Sequence, residues 1–284
     1  ALVVGAWAPA HAVDVDAFIK DDAFEQIKIS PTGEYLAATV PLEDRTVLAI
    51  ITRDGRKHVG GSGLGRNGHV ADFWWVADDR IVFSGSEKIG AHDAPRPTGD
   101  LYAVSTNGRP GEILVGQSLE VMTTGSNIKT REMERVAAFL FDPLLDNPRD
   151  VLISVAPFTN DPYIQAERLD VRTGRRVRVA RAPVRRGTFV SDQAGQVRAV
   201  IGAGSDNVSK LYLRNGTGDD WALLNDEAVS GLVETPLGFS ADGRILYLQA
   251  EQRTGQRHLA RRMHRQVAQS EQLADRRLVA GEVD

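Results

Sequence analysis

The sequence contains no cysteine. Disulfide staples and thiolate metal sites are therefore excluded, and the absence is compatible with an oxidising or a reducing compartment. An excess of positive charge is also missing: 34 basic residues face 38 acidic ones, for a net charge of −4. Neither a nucleic-acid partner nor an anionic membrane surface is expected from that balance. No membrane span is expected either, since a crossing helix takes roughly 20 apolar residues in a row. Histidine is scarce. The six are His11, His58, His69, His92, His258 and His264, and none forms an H-x-H or H-x-x-x-H pair. No metal site and no cofactor are expected on that ground.

The familiar catalytic strings are missing as well. No G-x-x-x-x-G-K-[ST] loop occurs, and no G-x-S-x-G nucleophile elbow; Gly61-Ser62-Gly63 lacks the frame and a following helix. Gly63-x-Gly65-x-x-Gly68 matches the dinucleotide fingerprint as a string, but no strand-to-helix unit surrounds it and a β-run follows, so it reads as a linker. Asp78-Asp79 and Asp219-Asp220 fall at expected turns, where carboxylates cap backbone N–H groups rather than act as an acid/base pair. Asn207-Val-Ser209 and Asn215-Gly-Thr217 are sequon strings, informative only in a host that uses them. No catalytic, cofactor-binding or metal-ligating residue is assigned.

What is present is repetition. Leu237 to Gln249 reads L-G-F-S-A-D-G-R-I-L-Y-L-Q: an apolar approach, a tight turn closed by Asp242-Gly243, then a strand. Equivalent turns close at positions 33, 79, 149, 195 and 243, at intervals of 46, 70, 46 and 48. The first four are each followed by a second strand–turn–strand. These second turns are Asp54-Gly55, Asn107-Gly108, Thr173-Gly174 and Gly216-Thr217-Gly218. Four antiparallel strands in about 45 residues is the pattern of a β-propeller blade. A lone blade cannot bury both faces, so several must stack about an axis.

The expected fold is all-β: an incomplete propeller of about four and a half four-stranded blades over residues 13–252. Blade one runs from about Phe24 to Val59, with Gly60 to Gly68 as linker. Blade two opens at Val70, and its Trp74-Trp75 pair can set one ring between blades and the other on the opposite face. Blade three takes Glu134 to Ala180 and blade four Gly187 to Leu224, with Trp221 in its last strand. Blade five begins near Pro236. The 70-residue interval places insertions in Gly85 to Gly99 and Gly116 to Arg131.

Both ends depart from the repeat. Ala1 to Ala12 ends in Ala10-His11-Ala12 and reads as a signal-peptide remnant, against a buried strand or frayed terminus, which makes the expected location periplasmic or secreted. Residues 253–284 form an atypical tail. Leu259, Met263 and Val267 are spaced for a weak amphipathic helix; the other reading, which the mismatch with the preceding repeats favours, is a non-native continuation. The run Arg172, Arg175, Arg176, Arg178, Arg181, Arg185 and Arg186 reads as the solvated face of outer strands, with a weaker second reading in which rim arginines grip carboxylates.

Several segments resemble the N-terminal propeller of prolyl oligopeptidase family serine peptidases, particularly exported bacterial dipeptidyl or acylaminoacyl peptidase-like members. They are Ala23 to Ala37, Asp72 to Ser84, Arg168 to Gly174 and Gly238 to Tyr247. The resemblance implies a propeller set over an α/β-hydrolase domain, restricting access to short peptides. That hydrolase region is absent from this sequence, so no family catalytic residue can be carried over and the chain alone is expected to be inactive. The rival expectation is a non-catalytic periplasmic propeller binding peptides or proteins on its rim. A propeller with its own glycosidase or lyase site is the weaker third, since no acidic pair is marked out for it.

Overall fold

The computed structural model describes residues 23–90, 94–116, 134–160, 162–252 and 257–263, the last stretch by backbone alone. Ala1 to Ala12, the lead-in to Asp22, the insertion beyond Gly116 and the tail beyond Met263 lie outside the described residues.

The strands run in chain order as consecutive antiparallel meanders. Blade one holds β1 (Gln26–Ile29), β2 (Tyr35–Leu42), β3 (Arg45–Thr52) and β4 (His58–Ser62). Blade two holds β5 (Gly68–Ala77), β6 (Arg80–Glu87), β7 (Arg96–Ser105) and β8 (Glu112–Val115). Blade three holds β9 (Val136–Asp142), β10 (Asp150–Pro157), β11 (Gln165–Asp170) and β12 (Arg176–Arg181). Blade four holds β13 (Thr188–Ser191), β14 (Val197–Ala203), β15 (Ser209–Leu213) and β16 (Ala222–Asp226). Blade five shows β17 (Leu232–Phe239), β18 (Ile245–Gln252) and β19 (Arg257–Met263). A single parallel pair, Thr46 with His69, ties blade one to blade two. The sheets do not close into a ring. The architecture is thus an all-β, incomplete propeller, as the repeat predicts.

The turn chemistry explains the regular spacing. Gly33, Gly195 and Gly243 each sit at positive φ (76°, 69° and 67°), where a Cβ would clash, and each closes the first hairpin of its blade. The amides of Gly33 and Gly243 donate to Ser30 O and Ser240 O, and the same two serines' hydroxyls accept from Tyr35 N and Ile245 N.

Each interface between neighbouring blades has its own apolar cluster. Leu48 and Ile50 of blade one meet Phe73, Ile81 and Phe83 of blade two. Val82 and Leu101 meet Val151, Ile153 and Leu169 of blade three. Leu152 and Ala166 meet Phe189 and Val200 of blade four. Leu211 and Leu213 meet Phe239, Leu246 and Leu248 of blade five. The strand period of two lets one strand serve two interfaces: Leu152 faces blade four while Val151 and Ile153 face blade two. The tryptophan pair follows the same rule. Trp75 is buried, stacks 6.4 Å from Tyr35 and donates its indole N–H to Lys28 O, while Trp74 stands half-buried on the opposite side.

Four boundaries differ from the sequence reading. Gly60 and Gly61 belong to β4 and Gly68 opens β5, so the glycine-rich linker shrinks to residues 63–67. Gly85 and Gly99 lie inside β6 and β7, which leaves a link of residues 88–95. Blade five begins at Leu232, and Pro236 sits within β17 opposite Leu248. Proline is tolerated there because the first strand of a blade is a sheet edge and needs a partner on one side only. Leu259 and Met263 lie in β19 rather than a helix, opposite Gln249 and Ile245; Val267 is outside the described residues. The exposed edge of β18 supplies a hydrogen-bonding template that overrides helix propensity in Arg257–Met263.

The two end faces are only partly covered. On blade one, Ile27, Ile29 and Leu42 are exposed, on the side away from Lys28 and blade two. On blade five Tyr247 is exposed while Leu246 and Leu248 are buried against blade four. The strand after Gly243 is therefore half-buried rather than covered on both faces.

Truncating Ile153, fully buried between blades two and three, should cost about 2–5 kcal/mol as Ile153→Ala. The exposed Ile89→Ala should stay within about 0.5 kcal/mol of the parent chain. Urea midpoints measured with the slope held common check the contrast.

Candidate interaction rim

All of the hairpin turns named above lie on one rim, because strands one to two and three to four turn at the same end of a blade. The polar residues there act across blades. Asp78 accepts the amide of Thr32 from blade one at 2.7 Å. Asp219 accepts the amide of Arg181 from blade three at 2.6 Å. The expectation that these acidic residues cap backbone N–H groups is met, but on the neighbouring blade rather than in their own turns.

Blades two and three are latched by two arginines. Arg80 opens β6 and is 7% exposed. Its Nε and Nη2 donate to Val171 O at 3.1 and 2.8 Å, its Nη1 donates to Ser105 Oγ at 2.9 Å, and its Nη2 also reaches Glu112. Arg172 grips both oxygens of Asp79, at 3.0 and 2.6 Å, and this contact holds the Asp79 carboxyl below its ordinary pKa. Between these groups lies a cleft of about 270 Å³, lined also by Asn107, Arg109 and Pro110. Arg109 is exposed at its mouth and has no ion pair among the described residues. The cleft can hold an anionic or hydrogen-bonding group; it carries no nucleophile beside a base.

Blades three and four are latched in a related way. Arg214 is buried, donates to Val179 O and Val197 O, and stacks its guanidinium 4.9 Å from the Trp221 ring. Trp221 directly precedes β16, and its indole N–H bonds Arg181 O at 2.9 Å. Ser191 donates to Asp142 across the same interface. The serines of the turns are thus occupied as caps and latches. Of the histidines whose side chains are described, His69 contacts Thr46 Oγ1 at 3.0 Å and His58 is exposed. Among the described residues no group of three metal-ligating side chains comes together.

Arg172, Arg175, Arg178, Arg181 and Arg186 of the arginine run are exposed, as the solvated-face reading expects, while several of the run are also engaged in contacts. Arg172 is committed to Asp79. Arg176 pairs with Glu134 and Glu167, and Arg186 holds Ala203 O and Asn207 Oδ1. One feature escaped the sequence reading: helix α1 (Glu227–Ser230), a single turn linking blades four and five. Its signal was present, since Asp226 caps Ala228 N and Gly231 ends the turn at φ 71°.

These features define a class: an open β-propeller whose turn rim is held by charged and backbone contacts between blades. No family model and no curated protein matches the sequence. Solved structures are similar in fold. Oligopeptidase B from Leishmania major is similar in fold with a TM-score of 0.52 at 12% identity, over 88% of this chain and 33% of that one. Dipeptidyl peptidase 4 from Porphyromonas gingivalis gives 0.48 at 11%, over 83% and 37%. Acylaminoacyl peptidase from Pyrococcus horikoshii gives 0.46 at 11%, over 92% and 42%. The likeness is one of fold. The chain spans about a third to two-fifths of the length of these peptidases.

Two outcomes follow from the rim. Arg80→Met strips the donors from Val171 O and should lower stability by about 1–3 kcal/mol. Arg172→Ala, at an exposed pair, should cost under about 1 kcal/mol. Thermal unfolding of the two variants side by side gives the comparison.

The second outcome concerns acid. Burial alone would raise the Asp170 pKa, but Arg149 and the amides of Thr173 and Arg172 outweigh it and bring the carboxyl down to about 2. A depressed carboxyl contributes stability above its unfolded pKa of about 3.9, and that contribution is lost as pH falls toward 2. Asp170→Asn should therefore be less stable than the parent at pH 6, with the gap closing between about pH 4 and pH 2. Parallel denaturant melts across that range measure it.

Proposed function

We propose that this chain is the substrate-gating propeller of an exported serine peptidase that hydrolyses short peptides. The catalytic α/β-hydrolase domain of that enzyme would lie outside these 284 residues. The observation carrying the reading is the order of the four-stranded blades, which follows the fold of oligopeptidase B over 88% of this chain and only 33% of that one. The uncovered faces at Ile27, Ile29 and Leu42 and at Tyr247 support it, because they call for further blades. A ring of blades over a hydrolase pocket excludes folded proteins by size and admits short peptides. The apolar run before Ala10-His11-Ala12 supports export to the periplasm or beyond.

The test has two arms. The purified 284-residue chain should leave aminoacyl and dipeptidyl chromogenic substrates uncleaved. The gene beyond the last codon should encode a G-x-S-x-G domain, in frame or after correction of a shift, and the full product should cleave short peptides but spare a folded protein. Turnover by the 284-residue chain would overturn the reading. A gene with no such domain would overturn it too, in favour of a propeller that binds peptides without cutting them.

A further inference from the structure

Where β10 leads into β11 and β12 ends, blade three carries a cavity of about 330 Å³ lined by Pro157, Thr159, Tyr163, Gln165, Arg178 and Arg181. Two arginines three residues apart on a strand normally point to opposite faces. Here they share one. Arg181 pairs with Gln165 and Arg178 with Glu167, and the register shifts between Ala166 and Glu167 so that Val179 is the extra residue of a β-bulge. Gln165 and Glu167 alternate onto one face of β11, and the bulge turns both arginines to meet them.

These two guanidinium groups are under-used. Arg178 reaches Asp219 only at 4.0 Å. Arg181 has no ion pair among the described residues; its guanidinium lies 4.8 Å from the Tyr163 ring centroid. Glu167, across the strand, is already engaged by Arg176, and burial raises its pKa, which weakens it as a counter-charge. The cavity therefore presents two positive forks, an aromatic wall that holds one of them in place, and the amide of Gln165 as a further donor.

We infer that this cavity on blade three is a binding site for a peptide carboxylate, gripped by Arg178 and Arg181. The planar guanidinium matches a carboxylate in two parallel hydrogen bonds, and two such groups on one face can take both oxygens. The inference goes beyond the gating reading and stands without it, because it rests on the bulge and the two arginines alone. The carboxylate can belong to an acidic side chain or to a free peptide C-terminus.

Calorimetric titration of the full chain with three short peptides tests the inference. One has a central Glu and blocked ends, one is neutral with a free C-terminal carboxylate, and one is the Gln counterpart of the first with blocked ends. At least one carboxylate peptide should bind saturably, and the Gln peptide should bind at least about tenfold more weakly. Arg181→Gln and Arg178→Gln should each weaken binding by about tenfold or more, while Arg172→Gln, in the cleft between blades two and three, should leave it unchanged. Which of the two carboxylate peptides binds tells the source. If Arg181→Gln lowers the thermal midpoint, Arg178→Gln is read in its place. Failure of both carboxylate peptides to bind overturns the site, as does equal binding of the Gln peptide or indifference to both arginine variants.

Discussion

Everything in this molecule depends on apolar side chains wedged between neighbouring sheets. No blade has a core of its own. Phe83, Ile153, Leu152 and Leu248 are each buried only because another blade lies across from them. At roughly 25 cal/mol per Å² of apolar surface removed from water, each such cluster outweighs any single polar contact on the rim. The polar latches act differently: Arg80, Arg214 and Asp219 satisfy backbone groups of the next blade and so fix the angle at which the wedges meet. Burial supplies the cohesion and the latches supply the registration.

Such an array has nearest-neighbour energetics, because each cluster joins only two blades. The middle blades have two covered faces and the end blades one. Exposure of Ile27 and Ile29 on blade one, against the full burial of Ile153 in blade three, expresses that gradient. The parallel bridge from Thr46 to His69 adds a backbone tie between blades one and two.

The parts of the fold legible in the sequence were those set by local chemistry. A Gly at positive φ closes the same hairpin in blades one, four and five, and Asp79 and Arg149 stand at that point in the other two, so the period could be counted directly. The strand period puts Leu246 and Tyr247 on opposite faces; which face is inside follows only from the packing of blade four against Leu246 and Leu248. What was hidden depended on partners far away in the chain. Asp79 and Arg172 are 93 residues apart, and nothing near either one marks the other. The strand at Arg257–Met263 was hidden for the same reason: its own composition favours helix, and only the free edge of β18 makes it extended. In the arginine run, counting charges gave a solvated face. The bulge at Val179, which decides where two of those arginines point, has no signature in sequence.

Pro236 carries a consequence of its own. The innermost strand of every blade borders the central axis and could, in principle, be zipped to a stray extended segment entering from outside. A residue without an amide hydrogen interrupts the ladder such an intruder would need, halfway along β17. Blade five thus combines an uncovered face with an inner margin that resists recruitment into runaway sheet growth.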